Sequence, residues 1–176
     1  MTRKEIIAKG LAYWVIFLML HFGYEFLPIL PLKLIGATDE SFYQNQKVGF
    51  FAYIIVNLLE WLVRRKRIEN LDSFLFTRMF TSVIIPWVTF AIWYMVPCYY
   101  GRLATDALEI IYSNIAVLVV VACTMVLERR LDTLAYDRAS KVVIVALLLI
   151  LISQYFIFTF RLPWADVFVD VYTGSH

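Results

Sequence analysis

His21 and Glu25 are the residues whose type and spacing speak most directly of chemistry. They stand inside a long apolar run, Leu11 to Leu32. An ionisable side chain in a membrane span costs roughly 2.5–3.5 kcal/mol on insertion scales, so it marks a functional site by default. A helix turns by about 100° per residue, which puts positions four apart on one face. The pair can therefore address a common partner, as an acid/base couple or as ligands of an ion or substrate.

Other polar residues fall at the same depth. Tyr24 adjoins Glu25, and the loop after the first span supplies Asp39, Glu40, Ser41, Tyr43, Gln44, Asn45, Gln46 and Lys47. The fourth span opens with Asp106 and Glu109 and continues to Ser113, and spacings of three and four place these on one helical face. Gln154 lies in the outer half of the fifth span. The resulting candidate lining of a polar cavity is His21, Tyr24, Glu25, Glu40, Ser41, Lys47, Asp106 and Glu109. A packing role competes with it. In that reading Glu25, Asp106 and Glu109 pair with Lys47, Arg102 or tyrosine hydroxyls, and the two acids of the fourth span simply favour the first turn of a helix.

Three other chemistries find little support. One His with three carboxylates is a ligand set for a divalent ion, yet no H-x-x-x-H or C-x-x-C spacing exists, and the second histidine, His176, is the last residue; no metal site is expected. No Ser or Cys has an adjacent base or a nucleophile-elbow motif. Cys98 and Cys123 are too few for a disulfide framework and should lie near opposite membrane faces.

The elements that must position these residues follow from composition. Of 176 residues 62% are hydrophobic, and the mean hydropathy is +0.74. Those values place the chain among polytopic membrane proteins. Hydropathy predicts an all-α integral membrane bundle with spans at about 10–32, 48–63, 74–97, 104–127 and 141–160. An outer tail follows at 161–176. The second span is short, and Pro28 and Pro31 should kink or stop the first. Thr2-Arg3-Lys4 before an apolar stretch resembles a signal peptide, but the stretch is too long and lacks a small-x-small site; a retained helix is expected. No repeat or soluble domain is visible.

Charge gives orientation. Arg3, Lys4, Lys9, Arg64, Arg65, Lys66, Arg67, Arg129, Arg130, Arg138 and Lys141 gather on one side of the predicted spans, against Lys33, Lys47, Arg102 and Arg161 on the other. The positive-inside rule then places the N-terminus in the cytoplasm and the C-terminus outside. Arg78, one turn into the third span, either snorkels to the headgroups or pairs with Glu60 at the same depth. Arg64-Arg65-Lys66-Arg67 reads as a topology anchor attracting anionic lipid. The tail carries Phe158-Thr159-Phe160, Pro163-Trp164, Asp166, Asp170 and Thr173-Gly174, and is apolar enough either to fold back over the bundle's outer mouth or to lie in the interface. No basic stripe interleaved with exposed aromatics points to nucleic acid.

The chain resembles a family of small prokaryotic polytopic membrane proteins whose function is unknown. That family carries H-x-x-Y-E in its first span, N-E-S-x-W-E-H-x-K in the following loop, and a closing F-T-F-x-P-P with D-P-x-T-G. Here the first motif is His21-Phe22-Gly23-Tyr24-Glu25, a full match. The loop reads Asp39-Glu40-Ser41-Phe42-Tyr43-Gln44-Asn45-Gln46-Lys47, keeping Glu, Ser and Lys but not the Trp-Glu-His centre. Phe158-Thr159-Phe160, Pro163, Asp170 and Thr173-Gly174 retain part of the third. Where the family's loop has Glu and His, Gln44 and Asn45 hydrogen-bond but do not titrate.

These observations favour a multi-pass inner- or plasma-membrane protein that binds a small molecule, lipid or ion in an outward-facing polar cavity, or serves as an accessory subunit. Membrane lipids, other membrane subunits and a second copy of the chain are the partners such a role implies. The alternative is a membrane-embedded enzyme using His21 and Glu25 as acid and base. The sequence names no cofactor.

Overall fold

The structure is a computed structural model and describes residues 3–101 and 103–170, with the side chains of Arg3 and Asp166 left out. Arg102, Thr173-Gly174 and His176 lie outside the described residues. The described residues form six α-helices: α1 (Arg3–Phe26), α2 (Leu30–Ile35), α3 (Phe42–Arg64), α4 (Leu71–Tyr100), α5 (Asp106–Leu131) and α6 (Arg138–Phe160). All but α2 are long and apolar enough to cross a membrane. A single 3-10 turn, Asp166–Phe168, follows α6.

The first helix departs from hydropathy at both ends. It begins at Arg3 and stops at Phe26, because Pro28 cannot continue the helical hydrogen bonding. Pro31 then occupies the first turn of α2, a six-residue helix with no buried residue. Glu25 therefore sits in the last turn of α1 rather than inside a span continuing to residue 32. His21 is only five residues from the helix end, about 8 Å at ~1.5 Å per residue.

The second span also begins earlier than its apolar run. Ser41 caps α3 by accepting the Gln44 backbone N–H at 3.3 Å, and the polar stretch after it is helical because its side chains find partners. The Gln44 amide donates to Thr38 Oγ1 at 2.7 Å, and Gln46 donates to the Pro86 carbonyl at 3.0 Å. With 23 residues, α3 reaches about 35 Å, enough to span ~30 Å of hydrocarbon.

α1, α3, α4 and α5 close a ring, each packed on the next, and α6 lies outside it against α4. Tyr155 of α6 reaches α3 at Tyr43 and Phe50, with ring centroids 5.6 and 5.1 Å away. Two loops need glycine. Between α2 and α3, a Cβ on Gly36 would stand 2.6 Å from the Leu20 carbonyl oxygen, so only glycine lets that loop seat on α1. Gly101 ends α4 with φ +67°, a left-handed conformation. On the opposite side of the membrane-sized helices, Asp137 caps α6. Hydrogen bonding from Ser140 holds the Asp137 carboxyl below the usual aspartate range.

The described part of the tail, to Asp170, packs against the start of α3. The Glu40 backbone N–H donates to Asp170 Oδ2 at 2.9 Å, Ser41 bridges to Asp170, and Phe168 packs 4.6 Å from Tyr43. It covers the start of α3.

Candidate functional site

The ring of α1, α3, α4 and α5 is built differently at its two ends. At the basic end, Lys9, Tyr13, Phe17 and Leu20 form the buried face of α1, spaced three and four apart. The same spacing on α5 runs Val117, Val120, Val121, Thr124, Met125, Glu128. Both faces thus carry a charge into the core at their last inward position, and these charges meet. Lys9 Nζ lies 2.7 Å from Glu60 Oε2 and 2.7 Å from Glu128 Oε2. Arg78 holds Glu60 with two bonds, Nε at 3.0 Å and an Nη at 2.9 Å, and reaches Asp132 at 2.7 Å. Tyr53 and Thr81 hydroxyls donate to Glu128 Oε1 at 2.7 and 3.1 Å, and Arg64 adds a further bond to Glu60.

Lys9, Arg64 and Arg78 balance Glu60, Glu128 and Asp132, so the cluster is neutral in formal charge. Glu128 is fully buried, and Arg78 stacks over the Phe74 ring with 4.4 Å to its centroid. Of the two sequence readings of Arg78, the structure selects the pair with Glu60; at 4% exposure it does not snorkel. Lys9 was counted only as flanking charge, and Glu128 falls one residue past the predicted fourth span. Their place on the apolar stripe was the signal.

At the other end the ring opens around a cavity of about 250 Å³. Its floor is Tyr13, Phe17, Gly49 and Val117, and its walls are His21, Phe22, Glu40, Phe42, Asn45, Thr89, Trp93, Glu109, Ser113 and Asn114, with Leu18 and Ile110 completing the lining. His21 Nε2 stands 3.3 Å from Glu40 Oε1, and the imidazole stacks on Phe17 at 6.0 Å. His21 Nδ1 is buried with no hydrogen-bond partner. Glu109 Oε1 accepts the Leu103 backbone N–H at 3.1 Å.

Three of the eight candidate residues, His21, Glu40 and Glu109, are brought together on this cavity. The other five are not, and helix geometry explains most of it. Asn45 and Gly49 of α3 face the cavity, so Lys47, two residues from each, is turned about 200° away. Lys47 is fully buried there, donating to the Lys33 carbonyl at 3.0 Å and to Thr159 at 3.3 Å. Ser41 is spent on the α3 cap. Asp106 is exposed in the first turn of α5, one turn beyond Glu109. Tyr24 is half-buried and Glu25 exposed, both past the cavity rim. The expectation that His21 and Glu25 address one partner gives way to a contact between His21 and Glu40. Among the described residues no group of three or more His, Cys, Asp or Glu is arranged to hold a metal ion.

Sequence reasoning did not single out Trp93, Asn114 and Thr89 as lining. Asn114 accepts from the Trp14 indole at 2.8 Å, and Ser113 from the Trp93 indole at 3.1 Å. Amide and hydroxyl groups that hydrogen-bond to indoles within apolar helices were the available sign. Compared with family models, curated proteins and solved structures, the chain matches none.

Proposed function

We propose that this protein spans a membrane five times and binds a small molecule in the cavity between α1, α3, α4 and α5, on the face opposite its basic end. The cavity itself carries the reading: a concave, largely aromatic space with a few convergent polar groups is the form that small-molecule sites take. The excess of Lys and Arg at the other end supports a cytoplasmic assignment for that end, and hence a cavity facing outward. Broad apolar faces, such as Val142, Val143, Leu149, Ile150 and Ile157 of α6, suit a lipid surround. Catalysis by His21 with Glu25 is not favoured, because Glu25 lies outside the cavity.

The test is the molecule that stays bound after gentle solubilisation, identified by native mass spectrometry. Thr89 lines the cavity, and its hydroxyl donates only to the Ile85 carbonyl of its own helix, at 2.8 Å. Thr89→Phe fills the space while the hydrogen bond it removes lies within α4. The wild type should carry a bound species that this variant lacks. Equal occupancy by the same species in both proteins would overturn the reading.

A further inference from the structure

Where the cavity opens decides what can reach it, and this step rests on the binding role proposed above. Its floor residues Tyr13, Phe17 and Val117 are buried, but Phe22 of α1 and Ile110 of α5 line the same space and are 43% and 56% exposed. These two helices are tied together nearer the basic end. Lys9 meets Glu128 at 2.7 Å, and the Trp14 indole donates to Asn114 at 2.8 Å. Past that second bond, Phe22 and Ile110 lead outward to Met19 and Phe26 of α1 and to Ile111 and Ile115 of α5, all exposed and apolar. The cavity therefore has a mouth between α1 and α5.

Depth decides what the mouth meets. About 20 helical residues cross the hydrocarbon of a bilayer. Counted from Ile6, just past Lys4 and Glu5, they end near Glu25; counted back along α5 from Leu127, just before Glu128-Arg129-Arg130, they end near Leu108. Phe22 and Ile110 fall inside these limits, so the mouth opens on acyl chains rather than on water. Deeper in, the lining is mixed. The Tyr13 hydroxyl stands against Gly49 at the floor. Ser113 accepts the Trp93 indole and keeps its own O–H, while Asn45 and Asn114 each spend one amide N–H on a carbonyl of their own helix or its cap and keep the other. An alkyl chain seated there would cover these groups without a hydrogen bond, which is costly. Hydroxyl groups, which both donate and accept, would meet them.

We infer that the ligand is a single-chain membrane lipid with a small hydroxylated head, which enters sideways from the bilayer, seats its head in the cavity and leaves its chain in the mouth between Phe22 and Ile110. Size agrees. At about 30 Å³ per water molecule the cavity holds the volume of about eight waters, room for a head of glycerol size and too little for a whole lipid.

The experiment uses two photoreactive forms of 1-palmitoylglycerol in phosphatidylcholine nanodiscs, with the diazirine beside the ester or at the chain end, and maps the labelled residues by mass spectrometry. The ester-side probe should label Tyr13, Phe17 or Val117, which lipid around the protein cannot reach, and the chain-end probe should label Met19 or Ile111 instead. Both should label the exposed face of α6 at Leu149 and Ile150, which reports that probe and protein share the bilayer. Thr89→Phe should remove the floor label and keep the α6 label. Ile110→Trp, at an exposed position, should lower the floor label by narrowing the mouth. A hexadecane carrying a terminal diazirine should label the floor about tenfold less than the ester-side probe, as expected for the loss of one or two hydrogen bonds. Floor labelling by the chain end, or by the alkane as strongly as by the ester-side probe, overturns the head-first seating. Undiminished floor label in Ile110→Trp overturns the sideways route. A floor unlabelled while α6 is labelled, or labelled equally in Thr89→Phe, overturns the lipid class, and the co-purification test then judges the cavity separately.

Discussion

At the basic end of the helix ring, Lys9, Glu60, Arg78 and Glu128 face one another at hydrogen-bond distance, each less than a tenth exposed. Twelve residues along α1, about 18 Å away, His21 and Glu40 border a space that no side chain fills. The same four helices build both regions, and both contain carboxylates. What separates them is partnership. In the first, two cations, two hydroxyls and a third cation at the edge satisfy the buried acids, and the helices come together. In the second, His21 keeps a buried Nδ1 without a hydrogen-bond partner, and the helices stand apart. One end fixes the ring. The other leaves it open for something else to complete.

If that contrast is right, the largest effect comes from Arg78→Met. Arg78 is the one residue that ties α3, through Glu60, and Asp132 at the end of α5 to α4. Removing it leaves buried carboxylates without their strongest donor, and breaking such pairs costs about 3–5 kcal/mol. Chemical denaturation in nanodiscs should read a loss of that order. A loss below ~1 kcal/mol would mean that water reaches the cluster and that the two ends are less different than described.

A smaller effect, and a sharper test, comes from Lys9 and Glu128. Lys9→Met alone strands Glu128 and should be more damaging than the pair Lys9→Met/Glu128→Gln, in which the charge is removed together with its partner. Recovery of about 1–2 kcal/mol in the double variant is expected for directly bonded groups. Strict additivity would show that the 2.7 Å contacts contribute nothing to stability. Tyr53→Phe probes the same carboxylate more gently. Tyr53 shares Glu128 Oε1 with Thr81, so a loss of about 1.5 kcal/mol is expected, the low end for a hydrogen bond to a charged acceptor.

The comparison also explains what was legible in the sequence. Five long apolar segments and their helical state were plain, because lipid leaves a backbone few alternatives. Helix ends were less so. Hydropathy extended α1 through Pro28, and started α3 six residues late because it scored Gln44, Gln46 and Lys47 as solvated. Each of those side chains is satisfied inside the protein, which no sum over single residues can register. The cavity residues His21, Glu40 and Glu109 were found by their oddity in or beside apolar helices. Lys9 has the same oddity but lies next to a basic run and was counted as a flank, while Glu128 falls just past the predicted fourth span. Lys47 was expected on the cavity and points away from it. Its direction is a matter of helical phase relative to Asn45 and Gly49, and phase needs a known helix start.

The smallest expected effect discriminates within the sequence motif itself. Glu25 and Glu40 both entered as candidate lining residues with His21, but of the two Glu40 contacts it and lines the cavity. Glu25 is exposed in the last turn of α1, where substitutions away from specific contacts usually change stability by less than about 0.5 kcal/mol. Glu25→Gln should therefore leave both thermal unfolding and the bound species read by native mass spectrometry where they are in the wild type. Glu40→Gln should lower the occupancy of that species. If Glu25→Gln lowers it as much as Glu40→Gln does, the rim as a whole contributes to binding. The division between a lining acid and a bystander one turn away would then have to be abandoned.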